Sequence, residues 1–252
     1  MKTVEFFGIS GTGKTFLKNL LVKNYKEKLI DVYDYDKVIE IFLPSEEVSI
    51  YNRCILKIFF LFRKKSKSKE LKKSFYRVKK INRKIDFFLY IKKYVYKIYL
   101  QSINNIFQKF RKKKFISVSL KLINECNFSL ENKEIFTRWL AEETVAHYLI
   151  KKNKKKLDLI VDSEGLIQRL FVYLYKKKKK RKIAKEYLKH CYIPNVVLIT
   201  KKKLFIKKIS KNLEFNMNYN ELLEIYTITI KLLETKTKIS LVDDKNISNL
   251  II

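Results

Sequence analysis

Glycine, proline, cysteine and histidine are all scarce in this chain of 252 residues. The three cysteines, Cys54, Cys126 and Cys191, are far apart and form no C-x-x-C pair, which argues against a disulfide framework and against a cysteine zinc site. His147 and His190 are the only histidines, so a histidine-based metal site is not expected. A chain with four glycines is expected to keep them where the backbone must come close to another group.

Long apolar runs are also missing. The two most apolar stretches, 55–62 and 87–100, are interrupted by lysines and fall short of the roughly 18 residues that a membrane span needs. The N-terminus enters a short apolar run directly, which leaves no room for a signal peptide. We therefore expect no transmembrane segment and a reducing, cytoplasmic setting.

Positive charge is abundant, and it is nearly all lysine. The net charge is +32, with 49 lysines and 8 arginines. Such a surface attracts nucleic acid or anionic membrane, but a lysine-, isoleucine- and asparagine-rich composition is also what an AT-rich genome produces. Arginine, which specific DNA readers use against guanine, is rare here, so we favour the compositional explanation. Hydrophobic residues make up 47% of the chain, enough for one large globular domain.

Three of the four glycines fall together, in the segment GISGTGKT at 8–15. This segment fits G-x-x-x-x-G-K-[ST], the phosphate-binding P-loop. Glycines allow successive backbone N–H groups to turn towards an anion, and the helix that follows adds its positive end. A β-prone run at 3–7 and a helical pattern from Phe16 onward supply the expected strand, loop and helix.

The motif assigns a role to each of its side chains. Lys14 is expected to reach the β- and γ-phosphates of a nucleotide, and the hydroxyl of Thr15 is expected to bind Mg²⁺. The residues predicted to contact the nucleotide here are Gly8, Ile9, Ser10, Gly11, Thr12, Gly13, Lys14, Thr15 and Phe16. The sequence therefore predicts ATP and Mg²⁺ as ligands.

Strand and helix patterns alternate through most of the chain, which predicts a three-layer α/β fold with a parallel sheet. The other predicted strands are Leu29–Tyr35, Leu157–Asp162, Asn195–Ile199 and Lys238–Val242. The predicted helices are Phe136–Ile150, Leu166–Tyr175, Lys201–Asn212 and Glu221–Leu233, with a loop at Lys176–Lys182. Between the second and third strands, residues 44–132 are predicted to form an inserted helical subdomain, either a hairpin packing on itself or an arm for a partner, and residues 1–43 and 133–252 form the core.

A second carboxylate is expected near the metal. Asp162 ends an apolar strand and has the position of the carboxylate that holds Mg²⁺ beside a P-loop, although an Asp after a strand also commonly caps a helix. Glu164 is positioned to orient a water or an acceptor hydroxyl. Gly165 is expected to let the backbone turn tightly beside the phosphates. Asp34 and Asp36 lie at the carboxyl end of the second predicted strand, at the sheet edge where α/β proteins bind ligands, and are further candidates for orienting the acceptor.

The segments VEFFGISGTGKT, LDLIVDSEGLIQRL and NVVLIT, with an Arg-Trp-Leu-Ala-Glu helix, resemble the thymidylate-kinase-like branch of P-loop nucleotide and small-molecule kinases. The resemblance implies a five-stranded parallel core, Mg·ATP as phosphoryl donor, a small acceptor such as a nucleoside, nucleotide or sugar, and a basic lid after the fourth strand. Asp162-Ser163-Glu164 replaces the Asp-Arg-Tyr or Glu-Arg-Ser triplet of that family, and the lid positions hold Lys207 and Lys211 instead of arginine.

Two arginines are candidates for contacting the transferred phosphate. Arg138 and Arg169 stand out in a chain that otherwise uses lysine, and a guanidinium group forks onto phosphate or carboxylate. Surface ion pairs with Glu142, Glu143 or Glu164 are an equal alternative.

A second function class remains open. Residues 162–165 also fit D-x-x-G, a switch element of GTPases, and Thr200 begins the segment where those proteins recognise guanine. Lys203 stands in place of the aspartate that pairs with guanine, and a crossover helix, rather than a hairpin, precedes the third strand. The alternative is an ATPase or GTPase switch whose basic helical arm binds nucleic acid or anionic membrane.

Overall fold

A computed structural model describes residues 1–9, 12–47, 49–65, 83–200, 217–243 and 245–247, with side chains excepted at 62–65 and 83–92. The predicted helix Lys201–Asn212, with the lid candidates Lys207 and Lys211, lies outside the described residues. So do Ser10 and Gly11 of the predicted P-loop.

Five parallel strands form one sheet in the order β2-β3-β1-β4-β5. The strands are β1 (Lys2–Phe7), β2 (Val32–Tyr33), β3 (Leu159–Asp162), β4 (Val196–Thr200) and β5 (Lys238–Val242). β1 is the central strand. After β1 the chain continues to β2 on one side of it, whereas after β4 the chain continues to β5 on the other side. Crevices at such a divergence, outside the carboxyl ends of the strands, are where open α/β sheets bind ligands. The predicted five-stranded parallel α/β architecture is thus confirmed.

Nine α-helices are present in the described residues. They are α1 (Lys14–Glu27), α2 (Tyr35–Glu46), α3 (Ile50–Lys65), α4 (Arg83–Phe110), α5 (Lys114–Glu125), α6 (Leu130–Lys152), α7 (Leu170–Leu174), α8 (Lys180–His190) and α9 (Tyr219–Leu233). Among them, no helix combines the length and the apolar character that crossing a membrane requires.

The side chains of β1 alternate between two packed faces of the sheet. Val4 and Phe6 belong to a buried cluster with Leu17 and Leu21 of α1. Phe7 points to the opposite face, where its ring stacks on Phe171 of α7 at 5.1 Å and on a tyrosine of α9 at 5.8 Å. A strand buried on both faces is expected to be mostly apolar; after the exposed Lys2, β1 departs from this only at Thr3 and Glu5, which are both buried.

Three local predictions were wrong. The second strand is only two residues long, and Tyr35, expected to end it, begins α2. The segment predicted as one helix from 166 to 175 is a 3-10 turn (Ile167–Arg169) followed by the short α7. The lysine-rich segment expected to be a loop through residue 182 becomes helical at Lys180.

Residues 36–109 form one compact unit, and residues 1–35 with 110–252 form the other. Within the first unit, α3 and α4 pack through aromatic rings: Phe59 lies 5.1 Å from Tyr99, and Phe60 meets the same ring edge-on at 5.9 Å. These two helices therefore pack on each other, and the segment that connects them, 66–82, lies outside the described residues. The unit overlaps the predicted insertion over 44–109.

Candidate functional site

The chain enters α1 through a left-handed residue. Gly13, the N-cap of α1, has φ 84° and ψ 13°. This left-handed conformation is unfavourable for residues with a Cβ but not for glycine. The side chain of the next residue, Lys14, is 5% exposed, and its Nζ donates to the carbonyls of Gly8 at 2.9 Å and Ile9 at 3.2 Å. The Lys14 ammonium group thus lies against the backbone of Gly8 and Ile9, the first two residues of the predicted phosphate loop.

Two threonines connect the predicted phosphate loop to the neighbouring strand β4. Thr12 Oγ1 donates to the Ile9 carbonyl at 2.8 Å, and Thr200 Oγ1, at the end of β4, donates to Thr12 Oγ1 at the same distance. Both threonines are buried. Thr12 therefore stabilises the turn of the loop, and Thr200 fixes that turn to the sheet.

On its β3 side the loop is held by Gln168, which the sequence did not single out. Gln168 Nε2 donates to the Gly8 carbonyl at 2.9 Å, and Gly8 N donates back to Gln168 Oε1 at 3.3 Å. One side-chain amide thus satisfies both polar groups of Gly8. Nothing local in the sequence signals this contact, because the partners are 160 positions apart.

Asp162 ends β3, beside Glu5 of β1 in the sheet register. Its two carboxylate oxygens each accept a backbone N–H, Oδ1 from Glu164 at 2.9 Å and Oδ2 from Tyr35 at 3.1 Å. Burial raises the pKa of Asp162, while Lys18 and these two N–H donors act in the opposite direction. A carboxylate has about four lone-pair positions, so both oxygens retain capacity for a further partner.

Asp34 forms an ion pair with α1. Lys18 Nζ lies 2.8 Å from Asp34 Oδ2, and this lysine is one turn beyond Lys14 on the same helix. Lys18 also acts electrostatically on Asp162. The structure thus associates two of the predicted carboxylates, Asp34 and Asp162, with one cation that the sequence did not identify.

Gly165 makes room for a buried carboxylate. A Cβ built at position 165 would be 2.5 Å from Glu5 Oε2, closer than real Cβ contacts. Glu5 is 1% exposed, and its Oε1 accepts from Ile167 N at 2.9 Å and Gln168 N at 3.2 Å. The structure gives Gly165 a reason that the sequence did not: Glu5 occupies the space that a side chain at this position would fill.

The charge on Glu5 is suppressed by its surroundings. Burial, with added repulsion from Glu143 and Asp162, raises the pKa of Glu5 to about 8. Near neutral pH the carboxyl group is therefore largely protonated. Glutamate in a buried strand, between apolar neighbours, is the sequence signal that this position is unusual.

Arg169 belongs to a buried ion pair rather than to a surface one. Its guanidinium contacts Glu143 through Nε at 2.8 Å and also through a second nitrogen, and it lies 4.3 Å from the ring centroid of Trp139. Burial raises the pKa of Glu143 to about 7 even though Arg169 lowers it. The ion pair with Glu143, one of the two alternatives for Arg169, is therefore present, but it is buried and not at the surface.

The remaining predicted site residues lie at exposed or half-buried positions. Thr15 and Phe16 are exposed in the first turn of α1, and Glu164 is exposed after β3. Asp36 is exposed in the first turn of α2, and Arg138 is half-buried on α6.

His147 is a hydrogen-bonding partner. Its Nε2 is 3.1 Å from the Tyr35 hydroxyl, and its ring packs 4.4 Å from the ring of Tyr192. Burial lowers the pKa of His147 to about 3, so the imidazole is neutral at physiological pH.

The residues predicted to hold Mg²⁺ carry oxygen ligands, which this ion prefers. Mg²⁺ is usually held by one or two protein oxygens together with substrate phosphates and water. In the described part of the chain no group of three or more His, Cys, Asp or Glu side chains is arranged to hold a metal ion. Of the predicted metal ligands, Thr15 carries a hydroxyl and Asp162 a carboxylate, and both are oxygen donors of this kind.

Comparisons with models of known protein families, with curated proteins and with solved structures find no match for this chain. Its function has to be inferred from the side chains of this site, since a fold class alone does not determine an activity.

Proposed function

We propose that this protein is a Mg²⁺-dependent phosphotransferase that moves the γ-phosphoryl group of ATP to a small molecule such as a nucleoside, nucleotide or sugar. The observation that carries the proposal is the left-handed entry into α1 at Gly13, with the Lys14 ammonium held by the carbonyls of Gly8 and Ile9. Backbone N–H groups at the start of a helix, with a lysine among them, form an anion site.

The groups around this loop divide the work of phosphoryl transfer. Lys14 exchanges its loop carbonyls for the β- and γ-phosphates, and the loop amides hold the same oxygens. Thr15 and Asp162 supply the oxygen ligands for Mg²⁺, which when bound neutralises charge on the phosphates. Positioning and charge neutralisation account for most of the catalysis in such reactions.

The acceptor is oriented by carboxylates at the same edge of the sheet. Asp34 is held by Lys18, and Glu164 is exposed next to Asp162. Both are able to accept the hydrogen bond of an incoming hydroxyl group, and Asp36 and Arg138 remain further candidates for acceptor or phosphate contact.

The switch alternative finds less support. β2 and β3 are parallel, with Val32 opposite Leu159, so they are joined by a crossover and not by a hairpin. The GTPase interpretation expected a hairpin at this point. Nucleotide hydrolysis that is stimulated by nucleic acid or anionic membrane would nevertheless distinguish the switch from the kinase in an experiment.

The test is incubation of the protein with γ-labelled ATP, and in parallel with γ-labelled GTP, in the presence of Mg²⁺ and a panel of nucleosides, nucleotides, sugars and sugar phosphates. Label on one member of the panel supports the kinase. Label found only in inorganic phosphate, released faster when DNA, RNA or anionic vesicles are added, supports the switch instead. No consumption of ATP or GTP under any of these conditions contradicts both.

A further inference from the structure

Gln168 connects the two halves of the proposed site. We propose that Gln168 is a positioning residue that holds the phosphate loop at a fixed distance from the Asp162 corner, residues 162–165, so that nucleotide and Mg²⁺ bind cooperatively. This inference rests on the proposed function, and it adds a residue that no motif contains.

The contact with the loop is a pair of hydrogen bonds to one residue. Gln168 Nε2 donates to the Gly8 carbonyl at 2.9 Å, and Gln168 Oε1 accepts from Gly8 N at 3.3 Å. A side-chain amide that meets both a donor and an acceptor is fixed in orientation. Gly8 is the first residue of the phosphate loop, so its position determines where the loop leaves β1.

The backbone of Gln168 is fixed on the other side. Its N–H lies 3.2 Å from Glu5 Oε1 and 3.1 Å from the Gly165 carbonyl. Gly165 is the last residue of the Asp162 corner, and Glu5 lies directly across the sheet from Asp162. Gln168 is therefore tied to the metal side of the site by its main chain and to the phosphate side by its side chain.

The contact between Gln168 and Gly8 matters during nucleotide binding because Lys14 donates to the same carbonyl. The Gly8 carbonyl accepts from Lys14 Nζ at 2.9 Å as well as from Gln168. When Lys14 turns towards a phosphate, this carbonyl loses the ammonium donor and retains the amide donor. Gln168 thus satisfies Gly8 in both states and keeps the loop from shifting as the lysine moves.

The test measures the affinity of a fluorescent ATP analogue with and without Mg²⁺. The ratio of the two dissociation constants is the coupling between metal and nucleotide. Gln168→Met keeps the length of the side chain and removes both hydrogen bonds to Gly8. We expect the coupling ratio to fall by about tenfold, within the usual range of coupling between sites, with a smaller change in affinity when Mg²⁺ is absent.

A double-mutant cycle separates positioning from general loosening. Asp162→Asn removes the metal ligand, so in that background Gln168→Met is expected to change the coupling ratio little. Gln108→Met, at an exposed glutamine of α4, is the control and is expected to leave the ratio unchanged. If Gln168→Met does not fold, Gln168→Glu carries the test, because it keeps the acceptor for Gly8 N and loses the donor.

The outcomes distinguish this inference from the function on which it rests. Wild-type protein that couples Mg²⁺ to nucleotide, with Gln168→Met and Gln168→Glu equal to it, overturns the role of Gln168 and leaves the phosphotransferase proposal standing. Wild-type protein that binds no nucleotide overturns both. Loss of coupling in the Gln168 variants, with the same melting temperature in the absence of nucleotide, supports the positioning role.

Discussion

Gly165 leaves open the space into which the Glu5 carboxylate extends: a Cβ at position 165 would lie 2.5 Å from Glu5 Oε2. Gly165→Ala must therefore displace the Glu5 carboxylate or the segment that follows β3. We expect the variant to lose about 1–3 kcal/mol of unfolding free energy, the usual cost of overpacking. Urea denaturation of the two proteins measures this difference.

Removing the Glu5 carboxylate tests whether it is the cause of the lost stability in Gly165→Ala. In a Glu5→Ala background the space next to position 165 is open, so adding Gly165→Ala is expected to cost clearly less than in the wild-type protein. Equal costs in the two backgrounds contradict the steric explanation.

Lys14 is the side chain on which nucleotide binding most depends. Lys14→Met keeps much of the side-chain volume but removes the ammonium group that is expected to meet the phosphates. We expect ATP-dependent turnover to fall by about 10²–10³-fold or more, as for the loss of one preorganised electrostatic group. Initial rates of ADP formation test this.

A lysine on the same helix provides the comparison. Lys23 is exposed on α1, and Lys23→Met is expected to keep wild-type turnover. Circular dichroism shows whether Lys14→Met is folded. Turnover retained by folded Lys14→Met protein would remove the basis for the phosphate-loop assignment.

Asp162→Asn tests the metal ligand. The amide has no negative charge for Mg²⁺, so the variant is expected to bind nucleotide with little or no dependence on Mg²⁺. Asp158→Asn changes an exposed carboxylate just before the same strand and serves as the control. An unchanged Mg²⁺ titration in Asp162→Asn shows that another group holds the metal.

The parts of the fold that follow from local pattern were predicted well. β1 was placed within one residue, because an apolar β-prone run followed by a glycine motif is a signal contained in a dozen residues. β2 was overestimated, because the chain turns into α2 at Tyr35, and an apolar segment with aromatic residues does not distinguish strand from helix.

The contacts that organise the site were not predictable in this way. Glu5, Gln168 and Arg169 each act through a partner between 26 and 163 positions away. A pattern in sequence indicates which face of an element is buried but not which residue that face meets, so nothing in the sequence connects Gly165 with Glu5.

Arg169 and Glu143 form a buried pair whose loss is expected to be asymmetric. Arg169→Met leaves the Glu143 carboxylate buried without its cation, and breaking such a pair costs about 3–5 kcal/mol. Replacing both residues by apolar ones removes the uncompensated charge. Arg169→Met with Glu143→Leu is therefore expected to be more stable than Arg169→Met alone, as measured by chemical denaturation. Arg181→Leu, at an exposed arginine of α8, is expected to have little effect.

Glu5 is expected to make the stability of the protein fall as pH rises. The pKa of Glu5 is raised from 4.5 to about 8 and that of Glu143 from 4.5 to about 7, so the folded protein holds protons that the unfolded chain has released. The free energy of unfolding then decreases with pH, by about 1.4 kcal/mol per pH unit for each such proton. Between pH 7 and 8 only the proton on Glu5 remains of these two. Above pH 8 its contribution to the slope ends.

Glu5→Gln isolates this contribution. The amide resembles the protonated carboxyl group, and its oxygen accepts from Ile167 N and Gln168 N as Glu5 does, so the variant is expected to fold. Its unfolding free energy is expected to be nearly flat between pH 7 and 8, whereas that of the wild-type protein declines. Glu27→Gln, at an exposed glutamate of α1, is expected to follow the wild-type profile. Because the Glu5 carboxyl faces Glu143 and Asp162, a Glu5→Gln profile that declines as steeply as the wild type would assign the titration to those carboxylates instead.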